Sequence, residues 1–342
     1  MIRFQDTEKR TPANVAPKTR DVVVVGCGDV VHKKLAPAIR ELTNEKTIGR
    51  VNYLDVCDKP AFLDPSESFL RIDPQVSLAG QLLGHGMPTE STLAVICAPT
   101  HLHASLAIQL SPICERVAVE KPLTMNMGET DDLRRCGNVF PIGHQLFKQE
   151  MLHATARAAE GLLDCRRIRR IDFKMLEPIG IGQRAIDPIT WDTAWHGFEL
   201  MQAPLYAAGM EFTTVVTASR SAVYEAGDCE PTVSTAARID GFFATPFRMI
   251  EFTIRLGKGM GVADKSIQFR GSRGELIHTV SLNESGHAAH RRLMRELLTA
   301  DEPNMQLNLA QASEVVRCCH EADFKTQGVE NYIFGTTPAW LD

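Results

Sequence analysis

Three side chains carry most of the chemical promise of this sequence. The apolar run Val117-Ala118-Val119 reads as a buried strand, and it ends in Glu120-Lys121-Pro122. Proline removes a ladder donor and fixes φ, so Lys121 is held extended just where the chain turns. An ammonium held there stabilises developing negative charge or, with a lowered pKa, relays a proton. Asp192 and His196 stand four apart in WDTAWHGFEL, so a helix puts them on one face. His196 titrates near neutral pH and suits proton transfer, with Asp192 orienting it or joining the same polar cluster. Oxidation of a secondary alcohol asks for such a set: a base at the hydroxyl, a donor for the alkoxide-like oxygen, and a hydride acceptor. The spacing leaves the main acid/base role open between Lys121 and His196.

The hydride acceptor has its own signal. Gly26-Cys27-Gly28 follows the β-branched run of DVVVV and opens a helical stretch, with Asp29 and Val30 completing the turn. In that context glycines let the backbone turn tightly and approach a pyrophosphate, while a helix N-terminus supplies N–H donors. The third fingerprint position carries Val31 instead of glycine. Asp58, at the end of the strand-like VNYLDVCD, is placed to bond a ribose and favours NAD over NADP, whereas Lys59 beside it pulls the other way. NAD is therefore the expected cofactor, with NADP open.

The elements that must position these residues follow the pattern of an α/β protein. Strand-like runs at DVVVV, VNYLDVCD, STLAVICA, ERVAVEKP and NVFPIGHQLF alternate with helical stretches up to about residue 144. This predicts a Rossmann dinucleotide-binding domain with a parallel, doubly wound sheet over residues 20–144. Thereafter TAARIDGFFA, FRMIEFTIRLG and KSIQFRGSRGELIHTVSL run in series. They predict a C-terminal α+β domain with a large, mostly antiparallel sheet over residues 145–342. The length of 342 residues fits two domains.

Composition narrows the partners. A net charge of −5 argues against a nucleic-acid surface, and the basic run CRRIRRIDFK at 165–174 reads as an exposed helix end leading into a strand. Nine cysteines without a C-x-x-C pair suit buried thiols in a reducing compartment. The N-terminus is polar and carries acids, and no segment has the length to span a bilayer, so a cytoplasmic protein without membrane contact is expected. His101-x-His103 and His287-x-x-His290 have chelating spacing, but neither carries the cysteine or carboxylate pattern of a structural zinc site. No metal is expected.

AVICAPTHLHASLA followed by VAVEKP resembles the oxidoreductase family named for glucose–fructose oxidoreductase, inositol dehydrogenase and a rhizopine-catabolism protein. The resemblance places Ala98, Pro99, Thr100 and His103, and then Glu120 and Lys121, at the cofactor. The family's Asp-x-Gly-x-His-x-x-Asp pattern is met by Asp192, Ala194, His196 and Glu199. GHQLFKQE is similar to an Asp-His-Tyr-Leu-Gly-Lys segment of glucose-6-phosphate dehydrogenase, with Gly143 in place of the Asp. It implies substrate contacts from His144 and Lys148. IRLGKGM is similar to another lysine-containing turn of that enzyme. Arg184, in a Gly-flanked loop before Asp192, could hold a substrate hydroxyl or phosphate. Trp191 and Trp195 flank the helix start and suit core packing.

The resemblance implies hydride transfer between nicotinamide and a secondary alcohol or ketone of a sugar, cyclitol or their phosphate. Lys121, His196 and Asp192 would be catalytic, and the chain a homodimer or homotetramer. Two alternatives share these features. One is a lyase or hydrolase using bound NAD for transient oxidation. The other is a non-catalytic nucleotide-binding sensor.

Overall fold

The computed structural model describes residues 19–87, 90–178, 187–225, 234–304, 308–333 and 336–341. Val22-Val23-Val24-Val25, all buried, form the centre of β1 (Arg20–Val25). A β-branched run without alternation belongs in a sheet covered on both faces. Around it lie β2 (Ile48–Asp55), β3 (Ser68–Arg71), β4 (Thr92–Ile96), β5 (Arg116–Val119) and β6 (Val139–Pro141). All pairings are parallel, in the order β3-β2-β1-β4-β5-β6. This is the order of a dinucleotide-binding fold, and it reverses direction between β1 and β4. The helices are α1 (Ala36–Asn44), α2 (Leu78–Gly84), α3 (His103–Leu110) and α4 (Met127–Cys136). A wide turn over Val31–Leu35 leads into α1, with the Ala36 N–H bonded to Val31 O. Pro37 explains it: a proline in the first turn lacks an N–H and displaces the carbonyl four residues back.

The stretch NVFPIGHQLF, expected as one strand, divides. β6 stops at Pro141, and His144–Phe147 is a 3-10 turn. α5 (Gln149–Ala159) follows. The second sheet contains β7 (Arg170–Pro178), β8 (Thr213–Glu225), β9 (Ala236–Ala244), β10 (Met249–Met260), β11 (Asp264–Arg270), β12 (Leu276–Ser281) and β13 (Thr326–Ile333). Its order is β12-β11-β7-β10-β9-β8-β13. Four of its pairings are antiparallel; β7 with β10 and β8 with β13 are parallel. IRLGKGM, expected as a turn, lies within β10.

Two helices face this sheet in succession, the short α6 (Ile189–Asp192) and α7 (Ala194–Ala207). Twelve of the fourteen residues of α7 are buried, so the helix has no wet face. The last helices are α8 (Ala288–Thr299) and α9 (Leu309–Phe324). α8 packs on α1, and α9 packs on both α4 and α7, so the chain's end returns to the first sheet. One continuous apolar cluster runs from Val22 through Trp195 to Val316. Among the described residues no helix is long and apolar enough to cross a membrane, and the eight described cysteines are free thiols.

Candidate active site

The carboxyl edge of the first sheet gathers three loops. Gly26-Cys27-Gly28 follows β1, Cys97–Thr100 follows β4, and Glu120-Lys121 follows β5. Gly26 has φ +88°, and a Cβ on it would lie 2.7 Å from Ala98 N. Glycine is therefore required where the first two loops meet. At Gly28 a Cβ would meet nothing within 4 Å, and both Gly28 and Asp29 are exposed. The turn thus opens on the side away from β4. β2 ends at Asp55, not at Asp58. The Asp55 carboxylate accepts the Cys27 N–H (2.7 Å) and the Cys57 N–H (3.0 Å). Asp58 lies three residues beyond the strand and is exposed, paired with Arg71 at 2.9 Å. In the sequence the second acid of VNYLDVCD reads as the strand end, because hydropathy does not mark where a parallel strand stops.

Thr100 and His103 serve the loops themselves. The Thr100 hydroxyl donates to Asp187 (2.8 Å). His103 is buried, with Nδ1 2.9 Å from Pro122 O and Nε2 2.7 Å from Ala98 O. The ring expected at the cofactor therefore bridges the β4 and β5 loops, its single N–H donated to one of the two carbonyls and its other nitrogen lying against the second. Burial holds its pKa below the ordinary histidine value, against the pull of the two carbonyls.

Lys121 precedes a cis peptide bond to Pro122. Its ammonium donates to the Asp192 carboxylate and, at 3.0 Å, to Asp192 O. Lys258 donates to the other carboxylate oxygen. Burial alone would push the Asp192 carboxyl up; the two lysines override it and hold the group well below the usual carboxylate range. Lys121 is affected in the opposite sense. Burial opposes its ammonium, but Asp192 and Glu120 outweigh this, and its pKa is raised. The lowered value that a proton relay would require is not found, and the side chain is a fixed cation.

Asp192 and His196 do not share one helix. Asp192 ends α6, Thr193 interrupts (φ −108°, ψ −30°), and His196 lies in α7. Each has its own partner. His196 Nδ1 bonds Glu199 (2.8 Å), whose other oxygen accepts the Trp195 N–H (2.8 Å). Burial drives the Glu199 carboxyl well above and the His196 imidazole well below their ordinary values, toward a neutral pair. A Cβ at position 143 would lie 2.9 Å from a Glu199 oxygen, so Gly143 leaves room for that carboxylate.

His144 meets His196 edge-on, with ring centroids 5.3 Å apart, and stacks on His290 of α8 at 4.3 Å. Glu120 is buried beside them; one oxygen accepts the Lys121 N–H (3.0 Å). Burial pushes its carboxyl up to about 7, although Lys121 pulls the other way. Lys148 does not join the cluster. Its ammonium donates to Leu282 O, and burial lowers its pKa to about 8. Arg184 lies outside the described residues. Lys258, Glu199, His290 and Asp55 were not singled out as site residues. Three of them carry a local signal: Glu199 in the family pattern, His290 in the spacing His287-x-x-His290, and Lys258 in IRLGKGM.

No protein-family model and no curated protein matches the chain. Solved structures do. It is similar to myo-inositol 2-dehydrogenase from Lactobacillus plantarum, at 11% identity over 90% of this chain and 97% of that one, with a TM-score of 0.65. Glucose-6-phosphate 1-dehydrogenase from Mycobacterium avium gives 16% identity, 94% and 95% coverage and a TM-score of 0.65. KijD10, a 3-ketoreductase from Actinomadura kijaniata crystallised with NADP, gives 13%, 92% and 100%, and 0.65. The two-sheet fold expected from the motifs is thus the fold these proteins share with the chain.

Proposed function

We propose that the chain is an NAD(P)-dependent oxidoreductase acting on a secondary alcohol or ketone of a sugar, cyclitol or their phosphate. The observation that carries this reading is the convergence of Lys121, Asp192, His144 and His196 beside the switch point of a dinucleotide-order sheet. The open side of Gly28, the exposed Asp29 and Pro99, and the Asp55 carboxylate suit a dinucleotide. Bound NAD(P) supplies the hydride acceptor. Lys121, clamped by Asp192, holds a positive charge where an alkoxide-like oxygen forms. His196, kept neutral and oriented by Glu199, takes the hydroxyl proton. The similarity of the fold to dehydrogenases and a ketoreductase supports the same reading.

The test begins with NADH and NADPH fluorescence titrations. A scan of sugars, cyclitols and their phosphates follows, read at the reduced nicotinamide band. Lys121→Ala should lower kcat about 10²–10⁴-fold while cofactor affinity stays within a few-fold of wild type. Binding of neither cofactor rejects the reading, and undiminished turnover in Lys121→Ala rejects the role of Lys121.

A further inference from the structure

Three polar atoms of neighbouring residues are left without partners in the interior. Glu120 Oε1, His144 Nδ1 and His290 Nε2 are each buried and unbonded among the described residues. Glu120 is only 4% exposed and His290 only 3%. They come from the β5 loop, the turn after β6, and α8, so chain proximity does not explain the meeting. One ligand atom from each lies within 4.8 Å of the others. Buried polar atoms nearly always find a partner, and three gathered residues that each leave one atom orphaned point to a ligand that completes them.

We propose that Glu120, His144 and His290 form a binding site for one divalent transition-metal ion of the zinc or cobalt type. Two imidazole nitrogens and one carboxylate oxygen are a donor set such ions take, leaving a fourth position for water or a substrate oxygen. Both imidazoles would bind the ion in their neutral form, each through one ring nitrogen. The Gln145 side-chain amide lies 3.0 Å from His144 Nε2, and Gln145 Oε1 is itself buried without a partner. With the amide oxygen turned to accept the Nε2–H, the lone pair of His144 falls on Nδ1, the orphaned atom. Around a tetrahedral ion with bonds of about 2.1 Å the ligand atoms stand roughly 3.4 Å apart, so the cluster must draw in by about 1.4 Å. The two rings now stack 20° from parallel, so binding must turn them out of the stack until both in-plane lone pairs meet at the ion. Glu120 supplies a carboxylate by giving up its proton as the ion binds, and the ammonium of its neighbour Lys121 is already paired with Asp192. A part for the ion in polarising a substrate oxygen rests on the redox reading; the site itself does not.

Tag-free, chelator-stripped protein titrated with Co²⁺ is the test. Wild type should develop saturable visible ligand-field absorption at one ion per chain, abolished by Zn²⁺. His290→Ala and His144→Ala should lose it, and Glu120→Gln should bind at least tenfold more weakly. His290→Gln, which refills the cavity, stands in should the alanine variant fail to fold. Absence of saturable absorption in wild type overturns the site, as does unchanged absorption in the histidine variants. NADH titration of the same samples separates the two ideas: Co²⁺ binding without NADH binding retains the site and rejects the redox reading, and the reverse outcome does the opposite.

Discussion

Asp192 shows how one carboxylate can organise two cations. Lys121 and Lys258 come from different sheets, and their side chains are 19% and 12% exposed where they meet it. Because its folded pKa lies below the unfolded value near 3.9, the unfolded chain takes up the proton first as pH falls. The stabilisation is therefore complete above about pH 5, begins to fall as the pH drops through the unfolded value, and is gone only below the folded one. Asp192→Asn should cost on the order of 2 kcal/mol at pH 7, because two half-buried ammoniums lose their counter-charge. In urea denaturation the gap between wild type and variant should close by up to about 1.4 kcal/mol per pH unit below pH 4. A gap constant from pH 7 to 3 would show that the carboxylate is not paired in solution. The sequence made Lys121 legible because a strand and a proline bracket it. Lys258 was not legible as a partner, since nothing local in β10 marks which strand residue reaches across to Asp192.

At the scale of elements, the parallel strands were readable and the joints between helices were not. β1, β4 and β5 are continuous apolar runs ended by Gly, Pro or charge, a pattern only a doubly covered sheet explains. The break at Thr193 has no such mark, for neither glycine nor proline stands there, and tertiary packing of α7 decides where the helix restarts. Likewise β3 and α2 are short and half-exposed, too weakly patterned to register. His103 is the element-scale device of the site, since it joins the loops after β4 and β5. His103→Ala should lower stability by about 1–3 kcal/mol through the lost buried bond and the carbonyl it leaves unpaired. It should also raise the Kd for NADH more than tenfold if, as proposed, both loops border a cofactor crevice. His103→Asn, which can reach one carbonyl, should recover part of each loss. Wild-type NADH affinity in His103→Ala would separate the staple from the cofactor site.

On the scale of the whole molecule, the question is what makes α8 part of the site. The helix belongs to the late chain, yet it carries His290 into the cluster at the carboxyl edge of the first sheet. Two buried arginines at the opposite edge of that sheet hold its far end. Arg116 donates to Leu297 O (2.5 Å), Ala300 O (2.6 Å) and Asp301 O (2.8 Å), and Arg20 donates to Leu298 O. The last carbonyls of a helix have no partners within it, and cations there also meet the negative end of the helix dipole. On the outer side, Arg291 and Arg295 of α8 pair with Glu45 just after α1, adding register more than energy. Arg116→Ala leaves three carbonyls facing a buried void, and about 3–5 kcal/mol of stability should be lost. The loss should be local first. Hydrogen exchange over residues 288–299 should accelerate more than in β1 or β4, because the sheet keeps its own ladder. Arg116→Lys, with a single ammonium, should restore less than half. If α8 positions His290 as argued, Co²⁺ affinity should fall in Arg116→Ala in step with the exchange rate of the helix, although Arg116 touches none of the three ligands. Faster exchange with Co²⁺ affinity unchanged would mean that the cluster is held by the β5 loop and the turn after β6 alone.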